Sequence, residues 1–111
     1  MSLLSELIDV FKKADIPVET GVFSGTSPDR YAVLTPLVDN YALYADNLPL
    51  ADVEEVRISL FDKGNYTAVK KQIEKELLTA DITVTDRRYM GHEDDTGYHH
   101  IAIDVAKNYE N

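Results

Sequence analysis

The hydrophobic period of this chain alternates between that of a helix and that of a strand, and this leaves few folds open. Leu3, Leu4, Leu7, Ile8 and Phe11 recur at helical spacing, with Ser2 placed as an N-cap and Pro17 closing the pattern after Asp15-Ile16. Val56, Ile58 and Leu60 then alternate with Arg57, Ser59 and Phe61, the pattern of a strand with one apolar face, and Asp62-Lys63-Gly64-Asn65 ends it. Asn65 can cap a second helix in which Tyr66, Val69, Ile73 and Leu77 follow at three- and four-residue steps to near Ala80. Ile82-Thr83-Val84-Thr85 and Ile101-Ala102-Ile103-Asp104-Val105 alternate again. The order helix, strands, helix, two strands predicts one α+β domain over residues 1–111, a mostly antiparallel sheet with two α-helices packed on one face.

Between the first helix and the strand at Val56 the pattern is weaker. Pro17 to Phe23 reads as a short strand, Ser24 to Asp29 as a loop, and Tyr31-Ala32-Val33-Leu34-Thr35 as a return to extended structure, with Pro36 marking an edge or bend. A second extended piece is expected from Asn40 to Tyr44, and Ala45 to Asp52 reads as an arm or loop. Leu48, Pro49 and Leu50 are apolar in that polar setting, and Leu48 and Leu50 either fold back over the core or dock on a neighbouring subunit.

Composition removes several function classes. The 111 residues hold no cysteine, so thiol catalysis and a disulfide framework are both unavailable. The formal charge of -9, from 20 acidic and 11 basic residues, opposes direct nucleic-acid binding, which needs a concentrated basic face. Lys70, Lys71 and Lys75 are the densest basic group, and they alternate with Glu74 and Glu76 as a solvated helix face does. The first residues carry neither a basic region nor a long apolar core, so no signal peptide, membrane span or membrane partner is expected. The serines lack a nucleophile-elbow context, and the Ser24-Gly25-Thr26-Ser27 loop lacks the lysine and glycines of a phosphate cradle.

The segment Gly91-His92-Glu93-Asp94-Asp95-Thr96-Gly97-Tyr98-His99-His100 gathers all three histidines with three carboxylates. Imidazole and carboxylate are common ligands of transition metals. The spacing opposes a site, because adjacent side chains of a strand point to opposite faces, so His99 and His100 cannot share an ion without distortion. A β-hairpin explains more: Glu93 to Gly97 are turn formers, His99 joins the Ile101 face, and His100 joins the face of Ala102 and Asp104. The expectation is therefore no metal, no cofactor and no catalytic residue. A small metal-binding hydrolase or module using His92, Asp94, Asp95 and His99 or His100 is the alternative from another class, and a monomeric adaptor binding through the arm is a further one.

Three stretches in order, Tyr44-Ala45-Asp46-Asn47-x-Pro49-Leu50, Val56 to Tyr66, and Glu93 to His100, resemble small tail-component proteins of phages and prophages. The likeness covers roughly Tyr31 to Val105 and is to the tail completion, or tail terminator, group of long-tailed phages. It implies an α+β, non-enzymatic structural protein that assembles as a ring, a hexamer being one option, on the end of the tail tube. There it would stop polymerisation and form the head–tail joining surface, with the tail tube protein and a head completion or connector protein as partners. A head–tail connector or minor capsid component is the neighbouring alternative. The resemblance also implies a place in the virion, and in the host cytoplasm during assembly. A closing ring needs one patch to meet a different patch on the next copy. Tyr41, Tyr44, Leu48, Pro49 and Leu50 are the residues expected to form one such patch, and Glu93, Asp94 and Asp95 another surface contact.

Overall fold

A computed structural model describes residues 2–21, 28–45 and 48–110, and for residues 38–45, 48–52 and 110 it describes the backbone alone. Helix α1 spans Leu3–Lys13, strand β1 Val18–Thr20, β2 Arg30–Ala45, β3 Leu48–Asp62, helix α2 Tyr66–Thr79, β4 Thr83–His92 and β5 His99–Glu110. The five strands form one mixed, mostly antiparallel sheet in the order β1-β2-β3-β5-β4, so the chain is an α+β domain. Among the described residues, only β1 runs parallel to its neighbour, β2.

Both helices begin where their caps dictate. The Ser2 hydroxyl accepts from Ser5 N, and the Ser5 hydroxyl accepts in return from Ser2 N, closing a capping box. The Asn65 side chain accepts from Ala68 N at the start of α2. Their apolar stripes, Leu3, Leu7, Val10 and Phe11 on α1 and Val69, Ile73 and Leu77 on α2, join one cluster with Ala32, Leu34, Val56, Ile58, Leu60, Ile101, Ile103 and Val105. Cross-strand register explains that cluster: Leu34 is opposite Ile58, Ile58 opposite Ile103, and Leu60 opposite Ile101, so alternate residues of three strands line the face the helices cover. Truncating a fully buried member such as Ile58 or Leu77 to alanine is expected to cost roughly 2–5 kcal/mol.

Strand β2 continues through Pro36 instead of dividing into two pieces there. Its register shifts between Pro36 and Val38, and this irregularity carries the strand past a residue with no N–H to donate. Pro36 lies beyond the pairing with β1, which covers Ala32 to Leu34, so the missing donor is not needed on that side. The stretch expected as an arm or loop from Ala45 to Asp52 is strand on both sides of residues 46–47, which lie outside the described residues. Tyr44 pairs with Pro49 and Ala45 with Leu48, which makes the segment the end of a long β2–β3 hairpin. Val22, Phe23 and Ser24 to Ser27, expected as strand end and loop, also lie outside the described residues.

The molecule is elongated, 55 × 24 × 22 Å, with a radius of gyration of 15.1 Å against about 13 Å for a compact domain of this length. The hairpin accounts for this. Strand β5 pairs with β3 only as far as Ala51, and β4 pairs with β5 only as far as Ala106, so the sheet narrows to two strands at its far end.

Candidate functional site

The histidine-rich segment is divided by the fold. His92 and His99 are cross-strand partners at the ends of β4 and β5, and His100 is opposite Phe61 on β3. The side-chain alternation expected of the strand places His99 on the helix-covered face and His100 on the opposite one. Between them the turn is closed by Glu93 N donating to Tyr98 O at 2.8 Å and Gly97 N donating to Glu93 O at 2.7 Å. Gly97 has φ +84°, a conformation that glycine adopts without a Cβ penalty.

On the helix-covered face His99 lies against Tyr66, ring centroids 4.6 Å apart, and against His92, also 4.6 Å. Tyr66 stacks on Tyr89 at 5.4 Å, and the Tyr89 hydroxyl is hydrogen-bonded to His99 Nδ1 at 2.9 Å. His92 Nδ1 is 3.2 Å from Asp94 Oδ1, and Asp94 is fully exposed. Tyr66 arrives from the first turn of α2 and Tyr89 from mid-β4, so their approach depends on the packing of α2 across the sheet. Neither tyrosine carries a sequence signal of a site, and Tyr66 reads only as part of the apolar stripe of α2.

On the opposite face Tyr31, Phe61 and His100 are successive cross-strand neighbours on β2, β3 and β5. Their rings stack at 4.8 Å (Tyr31–Phe61) and 4.4 Å (Phe61–His100). Tyr98 meets Tyr31 and Phe61 edge-on and donates its hydroxyl to Pro28 O, while Lys63 Nζ sits 4.8 Å above its ring. Burial, with Asp29 and Glu93 nearby, raises the Tyr98 pKa above its ordinary value and keeps the phenol protonated. Burial likewise lowers the His100 pKa, with Glu93 opposing and Arg57 reinforcing the shift, and His100 Nε2 is buried with no hydrogen-bond partner among the described residues. Farther along this face Arg57 and Asp104 form a two-bond ion pair, while on the helix-covered side, opposite His99, the buried Asp62 meets Arg30 Nε at 2.9 Å.

The residues expected to form interfaces fall at opposite ends of the sheet. Glu93, Asp94 and Asp95 are exposed in the turn beside the end of β3, where Asp62 is opposite His99. Tyr41, Tyr44, Leu48, Pro49 and Leu50 belong to the far end of the β2–β3 hairpin, where their backbone is strand and their side chains lie outside the described residues. Strand β3 alone, fifteen residues long, sets roughly 45 Å between the two regions. Among the described residues, no group of three or more His, Cys, Asp or Glu side chains could hold a metal ion. Among those residues, too, no helix is long and apolar enough to cross a membrane.

No protein-family model matches the chain, and no curated protein matches it.

The sheet also has unequal edges. Among the described residues, the outer edge of β2 has no strand beside it from Thr35 to Ala45, because β1 stops at the level of Leu34. The outer edge of β4 likewise has no strand beside it among the described residues, but its register with β5 is broken by irregularities at Thr85 and Met90. Arg87 and Arg88 lie on that strand, in ion pairs with Glu74 and Asp86, and both remain more than half exposed. Arg87, Arg88 and the half-exposed Met90 give no signal in the sequence, since none interrupts or extends a recognisable pattern.

Proposed function

We propose that this chain is a non-enzymatic assembly component of a tailed phage or prophage, a tail-completion protein that caps the tail tube and forms the surface on which the head is joined. The observation that carries this reading is the tapering sheet: a helix-backed body continues into a two-stranded β2–β3 hairpin whose outer edge is unpaired among the described residues. An unpaired strand edge is a template for another chain. A subunit with one recognition region at the hairpin and another at the 93–98 turn has the unlike patches that a closing ring needs.

The acidic balance of the chain suits a part past which DNA travels without being held. Purified tail tubes incubated with the protein and viewed by electron microscopy test the proposal. Density at one end of each tube is the expected outcome. Binding along the tube wall, or none, would overturn it.

A further inference from the structure

Resting on the ring reading above, we infer that neighbouring subunits join by strand addition, with the β2 edge of one copy that is unpaired among the described residues, 35–45, pairing with the β4 edge of the next. The occupant of the β2 edge is thus a second copy of this chain.

Charge favours this pairing. From Tyr31 to Val56 the chain has no lysine or arginine, and it carries Asp39, Asp46, Asp52, Glu54 and Glu55. Strand β4 has two arginines and one acid, Asp86, in a chain whose total is -9. Pairing β2 with β2 of another copy would bring two such acidic hairpins together, whereas β4 offers the hairpin Arg87 and Arg88, each paired within its own copy, to Glu74 and Asp86, yet more than half exposed and open to a second carboxylate.

Strand direction also fits. Following the order β2-β3-β5-β4 through three antiparallel pairings, β4 runs opposite to β2. A neighbour added along the sheet with its strands in the same sense therefore makes an antiparallel joint. Within one copy Arg87 lies level with Leu34, through Ile103 and Ile58. Placing it instead near residue 40 of the neighbour steps successive copies by about six residues, roughly 20 Å, along the strands. A ring with that step closes only if its strands tilt against the ring axis, as in a barrel.

The absence of native cysteine makes a direct test possible. Asn40→Cys and Met90→Cys proteins are prepared separately, mixed at high concentration or on tail tubes, and treated with a flexible thiol–thiol cross-linker. Covalent dimers are expected from the mixture and not from either variant alone. Adding Arg87→Glu and Arg88→Glu to the second variant is expected to lower the yield roughly tenfold at low salt, since like charges then meet across the joint. Circular dichroism confirms that each variant is folded. Cross-linking of Asn40→Cys with itself would overturn the inference in favour of a two-fold joint. Tube ends capped by the mixture without any cross-link would overturn the joint and leave the tail-completion reading standing. Cross-links without end binding would overturn that reading and leave the joint.

Discussion

Asp15 and Asp81 occupy the same position in two copies of one helix ending. Each follows an alanine C-cap, has positive φ (58° and 60°), and precedes a buried isoleucine, Ile16 or Ile82. The hydrogen bonds repeat as well. Ile16 N donates to Phe11 O and Asp15 N to Lys12 O, while Ile82 N donates to Leu77 O and Asp81 N to Leu78 O. This is the Schellman arrangement, in which two amides beyond the helix satisfy carbonyls left over at its end. The tripeptide Ala-Asp-Ile stands at 14–16 and again at 80–82, so one local sequence turns both helices toward the strands that follow.

Left-handed backbone is costly for residues with a Cβ, less so for aspartate, and both side chains are exposed. Asp15→Gly and Asp81→Gly are each expected to stabilise the fold by about 0.5–1 kcal/mol. Valine at either position is expected to destabilise it by at least about as much. Urea unfolding followed by circular dichroism checks both signs, and a Gly variant less stable than the parent would show that the aspartate contributes something beyond its conformation.

Where side chains enter the core, the sequence reported its structure well. Val56, Ile58 and Leu60 and Ile101, Ile103 and Val105 alternate because helices cover one face of their strands, and the opposite placement of His99 and His100 follows from the same period. The pattern failed where no core lies beneath. Asp52, Glu54 and Glu55 interrupt alternation on β3, yet the backbone there is held by pairing to β2 and β5, which burial periodicity does not record. Met90 sits at an irregularity, so the strand through Tyr89 to His92 loses its period before it ends. Ring contacts such as Tyr66–Tyr89 join elements brought together by helix packing, and residues with no shared local period give no signal of meeting.

Glu6 and Tyr109 connect the first helix to the last strand across most of the chain. The tyrosine hydroxyl donates to Glu6 Oε2, while Lys107 Nζ donates to Glu6 Oε1 at 2.9 Å and to Ala80 O at 2.9 Å. Burial alone would raise the Glu6 pKa, but the hydrogen bonds from Tyr109 and Lys107 and the lysine charge outweigh it and hold the carboxyl below its ordinary value. Burial and the Glu6 carboxylate push the Tyr109 phenol upward. The depressed carboxyl contributes stability at neutral pH that is lost as pH falls through the acid range, and the raised phenol contributes stability that is lost only in strong alkali. Tyr109→Phe is expected to cost roughly 1.5–3 kcal/mol at neutral pH, and the loss should shrink as Glu6 protonates. Unfolding measured in urea from neutral to acid pH checks this, and a cost independent of pH would show that Tyr109 acts through packing alone.

His100 presents the opposite case, a half-buried imidazole whose Nε2 is buried without a hydrogen-bond partner among the described residues. Its ring stacks on Phe61, and burial lowers its pKa. The folded state therefore holds the neutral ring, whereas the unfolded chain protonates near the ordinary histidine value of about 6.5. Stability contributed by this depressed group is present above that value and is lost as pH falls through it. His100→Phe keeps a stacking ring and removes both the orphaned nitrogen and the titration. It is expected to be more stable than the parent by about 0.5–1 kcal/mol at neutral pH, with the advantage growing on acidification. His92 and His99 remain in both proteins, so the difference between their melting temperatures isolates His100. Equal melting temperatures across the pH series would mean that the buried nitrogen is satisfied in solution, by water or by a movement of the ring.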